Sequence, residues 1–164
     1  MQKNIRELVT AAVCLALCLL LPFLTGQIPQ WGNMLSPMHI PVLLCGLLCG
    51  WPYATAVGFI APALRFALFG MPPIMPTGAA MMVELAVYGL ASSLLRRALP
   101  KRPAYLYVSL ILAMLLGRVA WGVFTFAEFL AGAFTSAVPG IVCHILIIPP
   151  LAMALERARG RAVA

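Results

Sequence analysis

Arg65, Glu84, Arg118 and His144 each interrupt a long apolar run. An ionisable side chain at membrane depth costs at least about 2–3 kcal/mol, so such residues normally face a polar interior and mark functional sites. Arg65 and Glu84 stand on the two arms of one hairpin, Gly58 to Gly89, whose connection reads GMPPIMP from Gly70 to Pro76. Its three prolines lack amide donors and fix φ, so no regular helix runs through it. Uncharged and apolar, with Met71, Pro72, Pro73 and Met75 along it, this connection suits a lid over a pocket. The alternative is a rigid turn above a structural ion pair.

Other chemistries lack their residues. There is no Ser-His-Asp set in a plausible order, no pair of intramembrane aspartates, no HExxH and no glycine-rich phosphate loop. His39, His144 and Glu84 offer zinc donors, but their spacing matches no metal motif, and neither a metal nor a cofactor is expected. Two alternatives stay open on the residues alone. One is a small membrane enzyme using His144 and Glu84 as acid and base. The other is a self-contained small-molecule or metal transporter built on methionines (Met71, Met75, Met81, Met82) and cysteines, although methionine more often fills irregular packing space. The pairs Cys14/Cys18 and Cys45/Cys49 have the helical i, i+4 spacing of a soft-metal site or of small residues at a packing surface. No ATP-binding signature is present, so the motor of any active transport lies in another chain.

The elements that position these groups follow from composition. With 63% hydrophobic and only 9% charged residues, the chain is far more apolar than a soluble domain, where roughly a quarter of residues are charged. It reads as an all-α integral membrane protein of one domain, residues 1–164, with helices at about 8–24, 39–50, 54–69, 77–95, 104–126 and 137–155. The first run follows Lys3 and Arg6 like a signal peptide, but similar runs recur to the end and no convincing cleavage site follows, so it reads as the first membrane helix. The run from His39 to Gly50 is short for a crossing of about 20 residues; it is either short or re-entrant, or borrows length from the loop before it. Trp51-Pro52-Tyr53 reads as a break, and Pro62 should kink the third helix.

The net charge of +7 would suit nucleic acid, but the basic residues cluster in short loops and tails instead of one patch. Six crossings put Lys3, Arg6, Arg96, Arg97, Lys101, Arg102, Arg157, Arg159 and Arg161 on one side and leave the opposite loops without any. The positive-inside rule then places both termini in the cytoplasm. At about 1.5 Å per residue, Arg65 lies about 6 Å below the outer end of its helix, while Glu84, Arg118 and His144 lie about 12 Å deep. His39, at the start of the second run, is the fifth candidate for this outer-half layer. A small-molecule pocket is favoured over structural ion pairs.

Helix one also carries Ala12 and Ala16, small residues four apart of the kind that let another helix approach closely. With these alanines, SPMHIPVLLCGLLCG (Ser36 to Gly50), the GMPP turn and VELAVYG (Val83 to Gly89), the chain resembles, over nearly its whole length, the S components. These are the substrate-binding membrane subunits of energy-coupling factor (ECF) vitamin transporters. The resemblance implies a multi-pass protein of a bacterial plasma membrane that captures a vitamin-like molecule near the outer face under the loops. It implies delivery through a transmembrane coupling (T) protein and two cytoplasmic ATPases, with Ala12 and Ala16 as the docking face. His39, Arg65, Glu84, Arg118 and His144 are the pocket candidates, and they come from the depth argument. Two arginines against one glutamate suit an anionic or polar micronutrient. Pantothenate, which carries a carboxylate, hydroxyls and an amide, fits.

Overall fold

The computed structural model describes residues 2–24, 36–70, 73–100, 102–124 and 133–159, and among them every regular element is helical. Five helices are long: α1 (Gln2–Leu24), α3 (Trp51–Phe69), α4 (Ala79–Ala98), α5 (Pro103–Phe124) and α6 (Ala133–Ala158). Each contains a span long and apolar enough to cross a membrane. The sixth, α2 (His39–Leu48), has 10 residues. At about 1.5 Å per residue it covers about 15 Å, half of a hydrocarbon core of about 30 Å.

That short helix is the hub. Every residue of α2 except Ile40 is buried, and it packs against α1, α3, α4 and α6. The long helices follow one another around it, α1 on α3, α3 on α4, α4 on α5 and α5 on α6. The sequence allows such a place for α2, since a helix apolar on all sides has no face that needs water.

Polar contacts fix the direction of α1, α2, α3, α4 and α6. Glu7 near the start of α1 accepts a hydrogen bond from the backbone N–H of Gly50 (3.0 Å), just before α3. Ser93 donates to the Cys49 carbonyl (3.1 Å), and Arg96 at the end of α4 pairs with Glu156 at the end of α6 (3.1 Å). Arg159 donates to Thr10. One end of the bundle, here the terminal end, therefore gathers the start of α1, the end of α2, the start of α3 and the ends of α4 and α6. At the opposite end the Phe23 and Phe69 rings meet edge to face, 4.9 Å apart. α2 runs back along α1 from the level of Cys18, whose thiol donates to the Met38 carbonyl (3.6 Å), to the level of Glu7. It thus occupies the terminal half of the bundle and opens its N-terminus at mid-depth.

Where the expected break Trp51-Pro52-Tyr53 falls, α3 instead begins. A proline in the first helical turn forfeits no hydrogen bond, since that N–H has no intrahelical partner. Pro62 lies within α3 without ending it. The helix stops at Gly70, whose left-handed φ of 70° lets its N–H reach the Phe66 carbonyl (2.8 Å). Beyond it Ile74–Gly78 forms one wide turn, closed from Gly78 N–H to the Pro73 carbonyl (2.9 Å) and interrupted by extended backbone at Met75. α3 and α4 then lie backbone to backbone. A Cβ on Gly58 would collide with the Leu85 carbonyl, and one on Gly89 with the Ala54 carbonyl.

Candidate functional site

Four helices bring ionisable groups to one layer. Glu84, on α4, is 2% exposed. One turn further along, Tyr88 donates its hydroxyl to Glu84 Oε1 (2.7 Å), as i, i+4 neighbours on one face can. Arg118 of α5 brings Nε to 3.4 Å from the same oxygen, and His39, the first residue of α2, sets Nε2 3.7 Å from Oε2. His144 of α6 lies parallel to the His39 ring, with centroids 5.9 Å apart.

The framework explains why these groups meet. Gly117 presents bare backbone to Tyr88, whose ring would strike any Cβ there. Tyr88 therefore lies flat on α5 and carries its hydroxyl to the carboxylate, beside Arg118. The Arg118 guanidinium also rests over the Trp121 ring at 5.9 Å. The tilted His39 ring packs on Tyr88 at 5.3 Å. Because α2 begins at mid-depth, its N-terminus, where the helix dipole is positive, sits in the layer that holds Glu84.

The electrostatics follow from this pairing. Glu84 and Arg118 cancel in formal charge, and each is buried enough that losing the other would leave an uncompensated ion. His39 Nδ1 is buried and makes no hydrogen bond among the described residues. A buried polar nitrogen in that position costs stability unless something meets it. The layer is thus an ion-paired floor with hydrogen-bonding capacity to spare, suited to holding a polar molecule. Among the described residues no group of three His, Cys, Asp or Glu stands close enough to hold a metal.

Of the residues singled out by depth, His39, Glu84, Arg118 and His144 come together, and Arg65 does not join them. Its guanidinium lies against the Phe23–Phe69 pair, 5.7 Å from each ring, and donates to the Leu19 carbonyl (3.3 Å). Depth alone cannot say around which axis a side chain points. Tyr88 was missed, although its i+4 position from Glu84 was the signal. Met71 and Pro72 of the GMPPIMP connection lie outside the described residues, while Pro73 is exposed and Met75 is 73% exposed. Ala12 and Ala16 lie on the exposed side of α1, opposite the buried stripe of Glu7, Ala11, Cys14, Cys18 and Pro22. Cys14, Cys18, Cys45 and Cys49 are buried as free thiols at the α1–α2 contact.

The family model described as "ECF transporter, substrate-specific component" matches residues 6–155. No curated protein and no solved structure matches the chain.

Proposed function

The chain belongs to the substrate-specific components of ECF transporters, and from that premise we propose that it holds its cargo on the Glu84 layer and hands it to an ATP-driven module. Members of this family are membrane substrate-binding subunits and not enzymes, so the layer is read as a recognition surface. The acid-base reading of His144 and Glu84 falls away with that.

The observation that carries the reading is the buried His39 Nδ1, unmet among the described residues, beside a paired Glu84–Arg118. A floor built for structure alone would satisfy its own nitrogens. With Nε2 turned to the Glu84 carboxylate, Nδ1 is the accepting nitrogen, and a ligand hydroxyl or amide N–H supplies the missing partner. The floor is neutral and meets the polar groups of a vitamin-like molecule; pantothenate, whose hydroxyls and amide it could meet but whose carboxylate it does not balance, is the candidate to test first. Gly70 to Pro76 is the lid of this proposal: it joins α3 to α4 above Glu84, and Met75 is extended and exposed.

The terminal end is the cytoplasmic one in this reading, because the basic residues concentrate there. The setting is a bacterial plasma membrane. Ala12 and Ala16 then face lipid or a partner helix, and they form the docking surface for the coupling protein. The experiment is uptake by cells expressing the chain with and without a coupling protein and its ATPases, with accumulated small molecules identified by mass spectrometry. Accumulation that needs all the partners supports the proposal. Equal accumulation by the chain alone sinks it.

A further inference from the structure

Arg65 has no counter-ion among the described residues, and the inventory of acids makes that informative. The chain has four acidic side chains, Glu7, Glu84, Glu128 and Glu156. Glu7 and Glu156 are engaged at the terminal end, by Gly50 and Arg96. Glu84 is taken up by Tyr88, Arg118 and His39. Glu128 lies outside the described residues.

Arg65 nevertheless sits inside the protein, 7% exposed and four residues, or about 6 Å, below the end of α3. It does not extend to the surface as an unpaired arginine near a helix end usually does. Its one hydrogen bond among the described residues goes to a backbone carbonyl. The Phe23 and Phe69 rings stabilise the cation electrostatically but accept no conventional hydrogen bond. A guanidinium has five N–H donors in a fixed fork that matches a carboxylate or phosphate. Held against a pair of rings, with no carboxylate facing it among the described residues, it lacks only such a partner.

We infer that Arg65 is an oxyanion site between α1 and α3, separate from the Glu84 layer, and that it binds one carboxylate or phosphate group. Two sources carry that chemistry: an acidic group on a water-soluble molecule, which would be the cargo if the proposed transport function holds, or the headgroup of a lipid. The aromatic pair sets the approach, because the two rings, 4.9 Å apart, cover the guanidinium from the one side they share and leave its other side for the anion.

The test needs no knowledge of the cargo, so its failure and the failure of the transport reading are separate results. The full chain is purified in an uncharged, phosphate-free detergent, and its thermal unfolding is followed at constant ionic strength. In one arm chloride is replaced by inorganic phosphate. In the other, short-chain phosphatidylglycerol is compared with the matching diacylglycerol. An oxyanion at about ten times its Kd should raise Tm by about 3–6 °C, and Arg65→Gln should abolish the rise. A rise with phosphate identifies a soluble source; a rise confined to the phospholipid identifies the headgroup. No rise in either arm overturns the site, as does an equal rise in Arg65→Gln. Glu128→Gln decides the remaining case: stabilisation that appears only in that variant makes Glu128 the counter-ion and also overturns the proposal. Should Arg65→Gln not survive purification, Arg65→Lys keeps the charge without the fork, and its half-saturation should move at least about tenfold higher for one lost charge-assisted hydrogen bond.

Discussion

Replacing Glu84 with Gln keeps the side chain's shape and its contact with Tyr88 while removing the charge that Arg118 faces at 3.4 Å. Breaking a buried ion pair from one side costs about 3–5 kcal/mol, mostly because the surviving ion is stranded. The Arg118 side chain is 14% exposed against 2% for Glu84, so stranding the arginine belongs near the lower figure and stranding the glutamate, in Arg118→Met, near the upper. With about 2–4 °C of Tm per kcal/mol for a chain of this size, Glu84→Gln should lose about 6–12 °C. The double variant strands neither ion, and methionine fills the space, so it should melt above either single one. Differential scanning fluorimetry of all four proteins in one detergent closes the cycle. A double variant whose loss is the sum of the two single losses, within about 0.5 kcal/mol, would show that Glu84 and Arg118 do not hold each other and would refute the paired floor.

Gly89→Ala should press its new methyl onto the Ala54 carbonyl, separate α3 from α4 and cost about 1–3 kcal/mol; an unchanged Tm would mean the two backbones do not touch. For the lid, Met75→Cys in a Cys143→Ser background introduces an exposed thiol while the four buried ones remain. It should react with a water-soluble maleimide several times more slowly once cargo is bound, and identical rates with and without cargo would remove Gly70 to Pro76 from the site.

What was legible in the sequence was what one dimension encodes. Apolar run lengths gave the long helices, and depth counted along each run gave the layer of Glu84, Arg118 and His144. The circumference was not legible. Arg65 shares that half of the bundle yet turns toward Phe23 and Phe69, and only packing decides that a guanidinium at position 65 meets two rings and a carbonyl instead of Glu84. Tyr88 was hidden for a related reason: its partner is local, but its placement depends on the missing side chain of Gly117 on another helix. The short second run was ambiguous because 10 buried residues look the same in sequence whether they line a core or enter a membrane partway. The start of α3 was misread because Trp51-Pro52-Tyr53 signals a break and a helix N-terminus equally well.

The central claim, capture by this chain and delivery by partners, rests most directly on the exposed face of α1. Ala12 and Ala16 point away from the buried stripe and from the Glu84 layer. Changing both to Trp should therefore leave the pocket intact while holding a partner helix off by several side-chain radii. The decisive measurement pairs two readings on this variant: cargo retained by the purified protein, identified by mass spectrometry, and uptake in cells that also express the coupling protein and ATPases. Wild-type retention with uptake lost is the predicted result. Full ATP-dependent uptake by Ala12→Trp/Ala16→Trp would contradict it.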